Sequence, residues 1–353
     1  MESGAEKLIL FYMAVCVCLV GFNIACNYIY LRYKRKIEYK SREIIEAVKG
    51  ESGDETDGAK GVEISEYNLM AAEKAIDELR LSNPAAADRL CLKLMKSVYE
   101  DGGIDRVKNP EVKAYIMYLT EKYRLINKEK NPEFLDKIVE LALSEDFFLR
   151  ENALRVLYSI GDADALVGVL HKLDSEGIYH NDKLLHDGML EYMGDKAVLW
   201  EKIRDEFDYF STAFQVMFIK YFSFETSLLK EWITGLLCDR TRDAELHFAC
   251  IRYLKKYPYE KARPVLYEIV KKRKDCLVGY RIAAASALAS YPGGETLTLL
   301  KDLLKDSNWY VRKNAAGSIV QLENEKPEKL EVSDVKDSYG REALQYLIEK
   351  RDL

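Results

Sequence analysis

From Leu8 to Leu31 the chain reads LILFYMAVCVCLVGFNIACNYIYL, 24 residues without a charge. As a helix rising about 1.5 Å per residue this run extends roughly 36 Å, enough to cross a hydrocarbon layer of about 30 Å with some tilt. A core helix of a water-soluble domain would carry a polar face along such a length. A cleaved signal peptide is the main competitor, but its apolar part usually covers about 7–15 residues and ends at a small-residue cleavage site. Here the run ends among Tyr28, Tyr30 and Tyr33, which suit the aromatic belt of a membrane interface. The expected arrangement is a short extracytoplasmic N-terminus, residues 1–7, and an uncleaved membrane helix, residues 8–31.

The flanking charges set its direction. Glu2, Glu6 and Lys7 precede the run, whereas Arg32, Lys34, Arg35, Lys36 and Lys40 follow it. Basic residues stay on the cytoplasmic side. The expectation is therefore a single-pass protein of the cell membrane with its N-terminus outside and its bulk in the cytoplasm. Arg32, Lys34, Arg35 and Lys36 also suit anionic lipid headgroups, at about 1 kcal/mol per basic residue near the surface. Within the run, Ala14, Cys18, Gly21 and Ala25 follow steps of four, three and four. Small side chains so spaced form a candidate helix-pairing face, with Asn23 or Asn27 as a hydrogen-bonding group across it.

Residues 32–49 continue as a basic juxtamembrane helix, with Ile37, Ile44, Ile45 and Val48 set among charges. The stretch GESGDETDGAKG, residues 50–61, is Gly-rich, acidic and without a large apolar side chain. That composition predicts a flexible linker that keeps the following part near the membrane but free to turn. From Val62 onward the apolar spacing is helical. Asn83-Pro84, Asn109-Pro110 and Asn131-Pro132 each put a capping residue before a proline suited to a first helical turn. Only 7 prolines and 19 glycines interrupt the chain, and no alternating β-branched run appears. The predicted fold is all-α, with residues 62–131 as degenerate helix pairs.

A motif then recurs at about 31–34 residues, the signature of stacked helix pairs. Its clearest copies are SEDFFLRENALRVLYSIGD (144–162), KDCLVGYRIAAASALASYPGG (274–294) and KDSNWYVRKNAAGSIVQLEN (305–324). Each has an acid ahead of the helix (Asp146, Asp275, Asp306), then an arginine (Arg150, Arg281, Arg312). An alanine follows three residues later (Ala153, Ala284, Ala315), and a large apolar residue four beyond that (Leu157, Leu288, Ile319). Weaker copies are read at Lys183, His186 and Leu190, at His247, Cys250 and Leu254, and around Phe214, Met217 and Tyr221. The small residue suits close helix approach, the apolar one fills the core, and the acid can cap its helix. An arginine at that place can pair with the acid of a neighbouring repeat, giving a ladder along the stack.

These copies resemble HEAT repeats, including the short form common in bacteria, in which an Asp, a Val-Arg pair and an Ala recur. Val311-Arg312 matches that pair, Leu149-Arg150 departs slightly and Tyr280-Arg281 further. The resemblance covers about residues 132–323 and implies an α-solenoid closed by a polar C-terminal cap helix, residues 324–353. It also implies a surface that captures a protein partner rather than catalysis, an inference from fold analogy.

The chemistry-bearing residues point the same way. His171, His180, His186 and His247 include no pair at metal-ligand spacing, and no phosphate-cradling glycine loop or nucleophile elbow occurs. No cofactor, metal or small-molecule substrate is expected. The seven cysteines have no paired spacing, as for free thiols in a reducing compartment. A net charge of −6 gives no drive toward nucleic acid. HEAT-type DNA glycosylases line a basic groove with Trp, Asp and Arg, whereas Trp200, Trp232 and Trp309 are spread across repeats. Nothing marks the chromophore pocket of HEAT-like phycobilin lyases. Lys271, Lys272, Arg273 and Lys274 close a strongly basic stretch and form a candidate partner-binding face. The expected function is a membrane-tethered adaptor for a cytosolic or membrane-embedded protein. The alternative is an accessory or regulatory subunit of a membrane enzyme, such as a glycosyltransferase, engaged partly through the membrane helix.

Overall fold

A computed structural model of the chain describes residues 2–50, 62–127, 129, 131–272 and 277–325, with 338, 340–342, 345 and 346 near the C-terminus. The expected linker beyond Gly50, residues 273–276 and nearly all of the expected cap helix beyond Glu325 lie outside the described residues. The described chain is all-helical, without a strand, and divides into two units.

The first unit contains α1 (Glu2–Gly50), α2 (Glu66–Ser82), α3 (Pro84–Met95), a π-turn (Lys96–Glu100), α4 (Gly103–Arg106), α5 (Pro110–Tyr123), α6 (Leu135–Leu141) and α7 (Phe147–Ile160). The boundary falls within α8 (Ala163–Ser175). The second unit contains α9 (Asp182–Leu190), α10 (Lys196–Glu206), α11 (Thr212–Glu225), α12 (Lys230–Cys238), α13 (Ala244–Lys256), α14 (Arg263–Lys271), α15 (Val278–Ala287), α16 (Gly294–Leu303) and α17 (Trp309–Glu325). Residues 193–195 group with the first unit.

Local sequence explains where these helices start. Asn83 accepts from the Ala86 N–H at 3.2 Å and Asn109 from the Glu111 N–H at 2.8 Å, each followed by proline at the first helical position. Such caps satisfy backbone donors that a helix start leaves open. Asn131 departs from this reading. Its side chain makes no capping bond, only a 3₁₀ turn (Pro132–Phe134) follows, and α6 begins at Leu135. Asp146 caps α7 by accepting from the Leu149 N–H at 2.8 Å. Gly161 ends α7 at φ 72°, where a Cβ would lie 2.5 Å from the Gly194 backbone nitrogen. Only glycine meets both demands cheaply.

In the first unit the helix expected over residues 32–49 is also a packing element. α1 is one uninterrupted helix, and beyond the apolar run it packs along α2 and touches α3. Ser41, Ile45 and Val48 are buried, and Ile37 and Ile44 are half-buried. These five follow steps of four, three, one and three and so make one packing face. Three contacts fix it further. The Tyr67 hydroxyl donates to the Lys36 carbonyl at 2.6 Å, Arg89 donates to the Val48 carbonyl at 3.3 Å, and Lys74 pairs with Glu38 at 3.2 Å. Residues 37–48 are therefore the first packed helix of this unit, whatever the freedom of the following linker. On the far side of α2, Lys122 of α5 bridges Glu73 at 2.8 Å and Asp77 at 2.7 Å, and the Tyr123 hydroxyl donates to Asp77 at 2.8 Å.

In the second unit α9, α11, α13, α15 and α17 pack in succession, each on the next, and α12, α14 and α16 back onto α13, α15 and α17. This is the two-row order of stacked helix pairs. Among the described residues, Tyr192, Tyr221, Tyr253, Tyr267 and Tyr291 are buried in its core. The buried Tyr253 ring donates its hydroxyl to the Thr226 carbonyl at 2.8 Å, and buried Tyr291 to the Leu254 carbonyl at 2.9 Å. Each ring fills the space between helices while its tip satisfies a backbone group on the neighbouring pair.

Candidate functional site

The N-terminal part of α1 presents an exposed face. The stripe Ala14, Cys18, Gly21 and Ala25 continues through Tyr28, Arg32, Arg35 and Tyr39 with the same alternation of four and three steps. The packing residues Ile37, Ser41, Ile44 and Val48 lie on the opposite side of the helix at 100° per residue. α1 is long and apolar enough to cross a membrane, and its most apolar stretch is not buried within the protein. Asn23 and Asn27 do not share the stripe, contrary to the sequence reading. They fall on the other side, and the Asn23 side chain donates to the Leu19 carbonyl of its own helix at 3.1 Å.

Below the apolar run a groove of about 470 Å³ is lined by Tyr28, Leu31, Arg32, Arg35, Lys36 and Tyr39 of α1 and by Tyr67 of α2. Lys34 is not part of it. Arg32, Lys34, Arg35 and Lys36 are all exposed, and none of the four forms an ion pair with a described residue.

The basic stretch of the second unit is arranged differently. Lys271 pairs with Glu295 at 2.8 Å, Lys272 pairs with Glu268, Lys261 with Glu231 at 2.9 Å and Arg263 with Glu260 at 2.8 Å. Lys255 donates to Ser286 at 2.8 Å, and Lys256 to the Ser223 carbonyl at 2.7 Å. Glu295 and Glu231 come from adjacent helix pairs, whereas Glu268 and Glu260 lie within the stretch itself, so its ion pairs are part cross-repeat and part local. Arg273 and Lys274 lie outside the described residues. Between α12, α14 and Tyr280 a groove of about 730 Å³ is lined by Arg240, Lys261, Lys272 and Glu268; Arg240 and Lys272 share Glu268, and Lys261 pairs with Glu231.

The repeat arginines divide between two jobs. Arg281 of α15 reaches Asp306 at 2.9 Å, ahead of α17, with both side chains nearly buried. Arg150 instead donates to the carbonyls of Ser144 at 2.5 Å and Glu145 at 3.3 Å in the turn before its own helix. Arg312 does the same to Asp306 at 2.7 Å and Ser307 at 3.0 Å. This corrects the repeat register. Asp146 caps α7 four residues before Arg150, but the residue four before Arg312 is Asn308, which caps α17 by accepting from the N–H groups of Tyr310 and Val311. Asp306 is therefore not the equivalent of Asp146, and it is free to take Arg281. Asp275 lies outside the described residues.

The same slot, four residues past the helix cap, holds Gln215 in α11 and His247 in α13. Gln215 donates to the Phe207 and Phe210 carbonyls, each at 3.0 Å. His247 uses Nε2 toward the Leu236 and Asp239 carbonyls at 3.2 and 3.0 Å, and Nδ1 contacts the Tyr280 hydroxyl at 2.6 Å. In four helices, then, one side chain clamps the turn that enters the helix. The copy read at Lys183, His186 and Leu190 shifts by two residues, onto Leu185, Gly188 and Tyr192, because Asn181 caps α9, and Leu185 and Tyr192 are buried. The copy read at Phe214, Met217 and Tyr221 shifts by one, onto Gln215, Phe218 and Phe222.

His247 and Cys250 are both buried in the α13 core, where burial pushes the Cys250 thiol up to about 12. A thiol held protonated is a packing group and not a nucleophile.

No family model matches the chain, and no curated protein matches it. Among solved structures it is similar to the karyopherin Kap121p bound to the SUMO protease Ulp1p, at 13% identity with a TM-score of 0.43, over 88% of this chain and 36% of that one. It is also similar to Kap121p alone, at 12% identity with a TM-score of 0.42, over 89% of this chain and 37% of that one. The chain thus spans little more than a third of the length of the protein it matches.

Proposed function

We propose that this protein is a single-pass membrane scaffold that presents a stack of helix pairs to a protein partner at the cytoplasmic surface. The observation that carries this reading is α1 itself: an uncharged, uncovered apolar half runs without a break into a half packed as the first helix of the stack. Such a rod fixes the orientation of the first unit toward the lipid and does not merely confine it. Confinement raises effective concentration, so a weak interface suffices for a partner in or near the membrane. The cations directly after the apolar run, Arg32, Lys34, Arg35 and Lys36, support an inward C-terminal domain.

A second reading is an accessory or regulatory subunit of a membrane enzyme, such as a glycosyltransferase. It is favoured by the stripe from Ala14 to Ala25 facing away from the repeat body, which leaves it clear for another membrane helix. Replacing residues 8–31 with an unrelated apolar span distinguishes the two. A scaffold keeps its co-purifying partner in mild detergent after the exchange, whereas a subunit recognised through its membrane helix loses it. Digestion of residues 62–353 by protease added to intact cells would remove the cytoplasmic reading altogether.

A further inference from the structure

We propose that the groove formed by Tyr28, Arg32, Arg35, Lys36, Tyr39 and Tyr67 is a binding site for the phosphate-bearing headgroup of an anionic phospholipid. The proposal rests on the membrane reading above and adds a defined ligand and a defined set of residues.

Position comes first. Arg32 directly follows the last apolar residue, and Lys36 lies about 6 Å further along the helix axis at roughly 1.5 Å per residue. Outside the hydrocarbon core the headgroup layer occupies only about 5–7 Å on each side, so the three cations of the groove fall within it. Charge comes second. In the second unit Lys261, Arg263, Lys271 and Lys272 are each paired with a carboxylate, but Arg32, Arg35 and Lys36 have no described ion-pair partner and stand exposed. Two guanidinium groups one turn apart offer the forked donors that suit a phosphate. Shape comes third. Tyr28, Leu31 and Tyr39 give the groove aromatic and apolar walls, and Tyr67 is pinned at its edge by its bond to the Lys36 carbonyl. The concavity depends on α2 being docked against α1, so it belongs to the folded unit and is absent from a loose basic segment.

A second copy of the chain is a poor occupant, because a parallel pairing along this stripe would set Arg32 against Arg32 and Arg35 against Arg35. An acidic protein segment would answer the charge but not the depth, since the cations sit at the lipid boundary. Lys34 provides the internal control. It is equally exposed and equally near the membrane, yet it lies off the groove.

The test is native mass spectrometry of the full-length chain released from mild detergent, titrated with phosphatidylglycerol or phosphatidylcholine, with inorganic phosphate as competitor. One phosphatidylglycerol adduct is expected, in clear preference to phosphatidylcholine and undisturbed by inorganic phosphate. Arg32→Gln or Arg35→Gln alone should weaken it about fivefold, and the two together by more than tenfold, at the roughly fivefold per cation expected of juxtamembrane basic residues. Lys34→Gln, off the groove, should weaken it clearly less than either arginine variant. All three positions are exposed, and unchanged melting of each variant verifies the fold. Equal retention of the two lipids, displacement by inorganic phosphate, capture of an acidic protein segment in place of lipid, or a Lys34→Gln loss matching that of Arg32→Gln overturns the site. Release of the chain by alkaline extraction sinks the membrane reading itself, whereas retention without lipid preference sinks only the site.

Discussion

The Nε of Arg281 lies 2.9 Å from the Asp306 carboxylate, joining α15 to the turn that enters α17 across two side chains that are almost out of solvent. Removing one member of such a pair leaves the other charge buried and uncompensated. Asp306→Ala or Arg281→Ala should each cost about 3 kcal/mol of stability. The double variant should cost clearly less than the sum. Chemical denaturation of the three variants measures this, and additive losses would show that the two residues act separately.

The corrected register makes a sharper contrast. Asp146→Ala and Asn308→Ala remove helix caps and should each cost about 1 kcal/mol. Asp306→Ala, despite its similar place in the sequence motif, should cost about three times as much. Equal losses at Asn308 and Asp306 would restore the register in which Asp306 and Asp146 are equivalent.

The α2–α5 clamp should shape the dependence of stability on pH. Partial burial pushes the Asp77 carboxyl up, but hydrogen bonds from Lys122 and Tyr123 outweigh it and hold it below the usual carboxylate range. Its contribution is fully present above the unfolded value of about 3.9 and is lost as pH falls through the lower folded value. Burial pulls Lys122 down, but its bonds to Asp77 and Glu73 raise it above the ordinary lysine range. That contribution is present below about 10.4 and is lost as pH rises through the folded value. Melting curves of Lys122→Met should therefore show a shallower acid limb below about pH 4 than the parent chain. An unchanged slope there would remove Lys122 as the partner that matters.

In the α13 core, His247→Leu removes the side-chain bonds to the Leu236 and Asp239 carbonyls and to the Tyr280 hydroxyl, while the two carbonyls keep the N–H groups of Asp239 and Arg242. The expected loss is about 1 kcal/mol, the net worth of a typical hydrogen bond. Thiol labelling at pH 8 reports on the same core. Exposed Cys238 should react in the folded chain, while Cys250, buried and pushed up to about 12, should react only on unfolding. Prompt labelling of Cys250 would contradict the packing.

Much of this was legible from residue types with one physical use. Asn83-Pro84 and Asn109-Pro110 each mark a helix start, because the amide caps and the ring lacks only a donor the helix does not need. The spacing of Arg150, Ala153 and Leu157 recurs as Arg312, Ala315 and Ile319 because the clamp, the close approach and the core plug sit at fixed angles on a helix. The register slipped where those types were absent. In α11 the clamp is Gln215 on a helix that is apolar nearly all round, and in α9 the slot is filled by Leu185, so neither signals its place. The cross-repeat ion pairs of the basic stretch were not legible because Glu231 and Glu295 lie 24 or more residues away in sequence from Lys261 and Lys271 and only stacking brings them in. The packing role of Ile37, Ile44, Ile45 and Val48 was hidden for the opposite reason. A cytoplasmic extension of a membrane helix and the first helix of a repeat stack carry the same sparse apolar pattern, and only the partner α2 distinguishes them.

Hydrogen exchange of the full-length chain in lipid nanodiscs tests that distinction most directly. A short helix extending free into water exchanges readily, since isolated helices of about 12–15 residues are marginal. If residues 37–48 pack as the first helix of the stack, their amides should be protected as long as those of 69–79 in α2. Exchange of residues 37–48 within seconds, with 69–79 still protected, would contradict it and return this segment to the role of a loose tether.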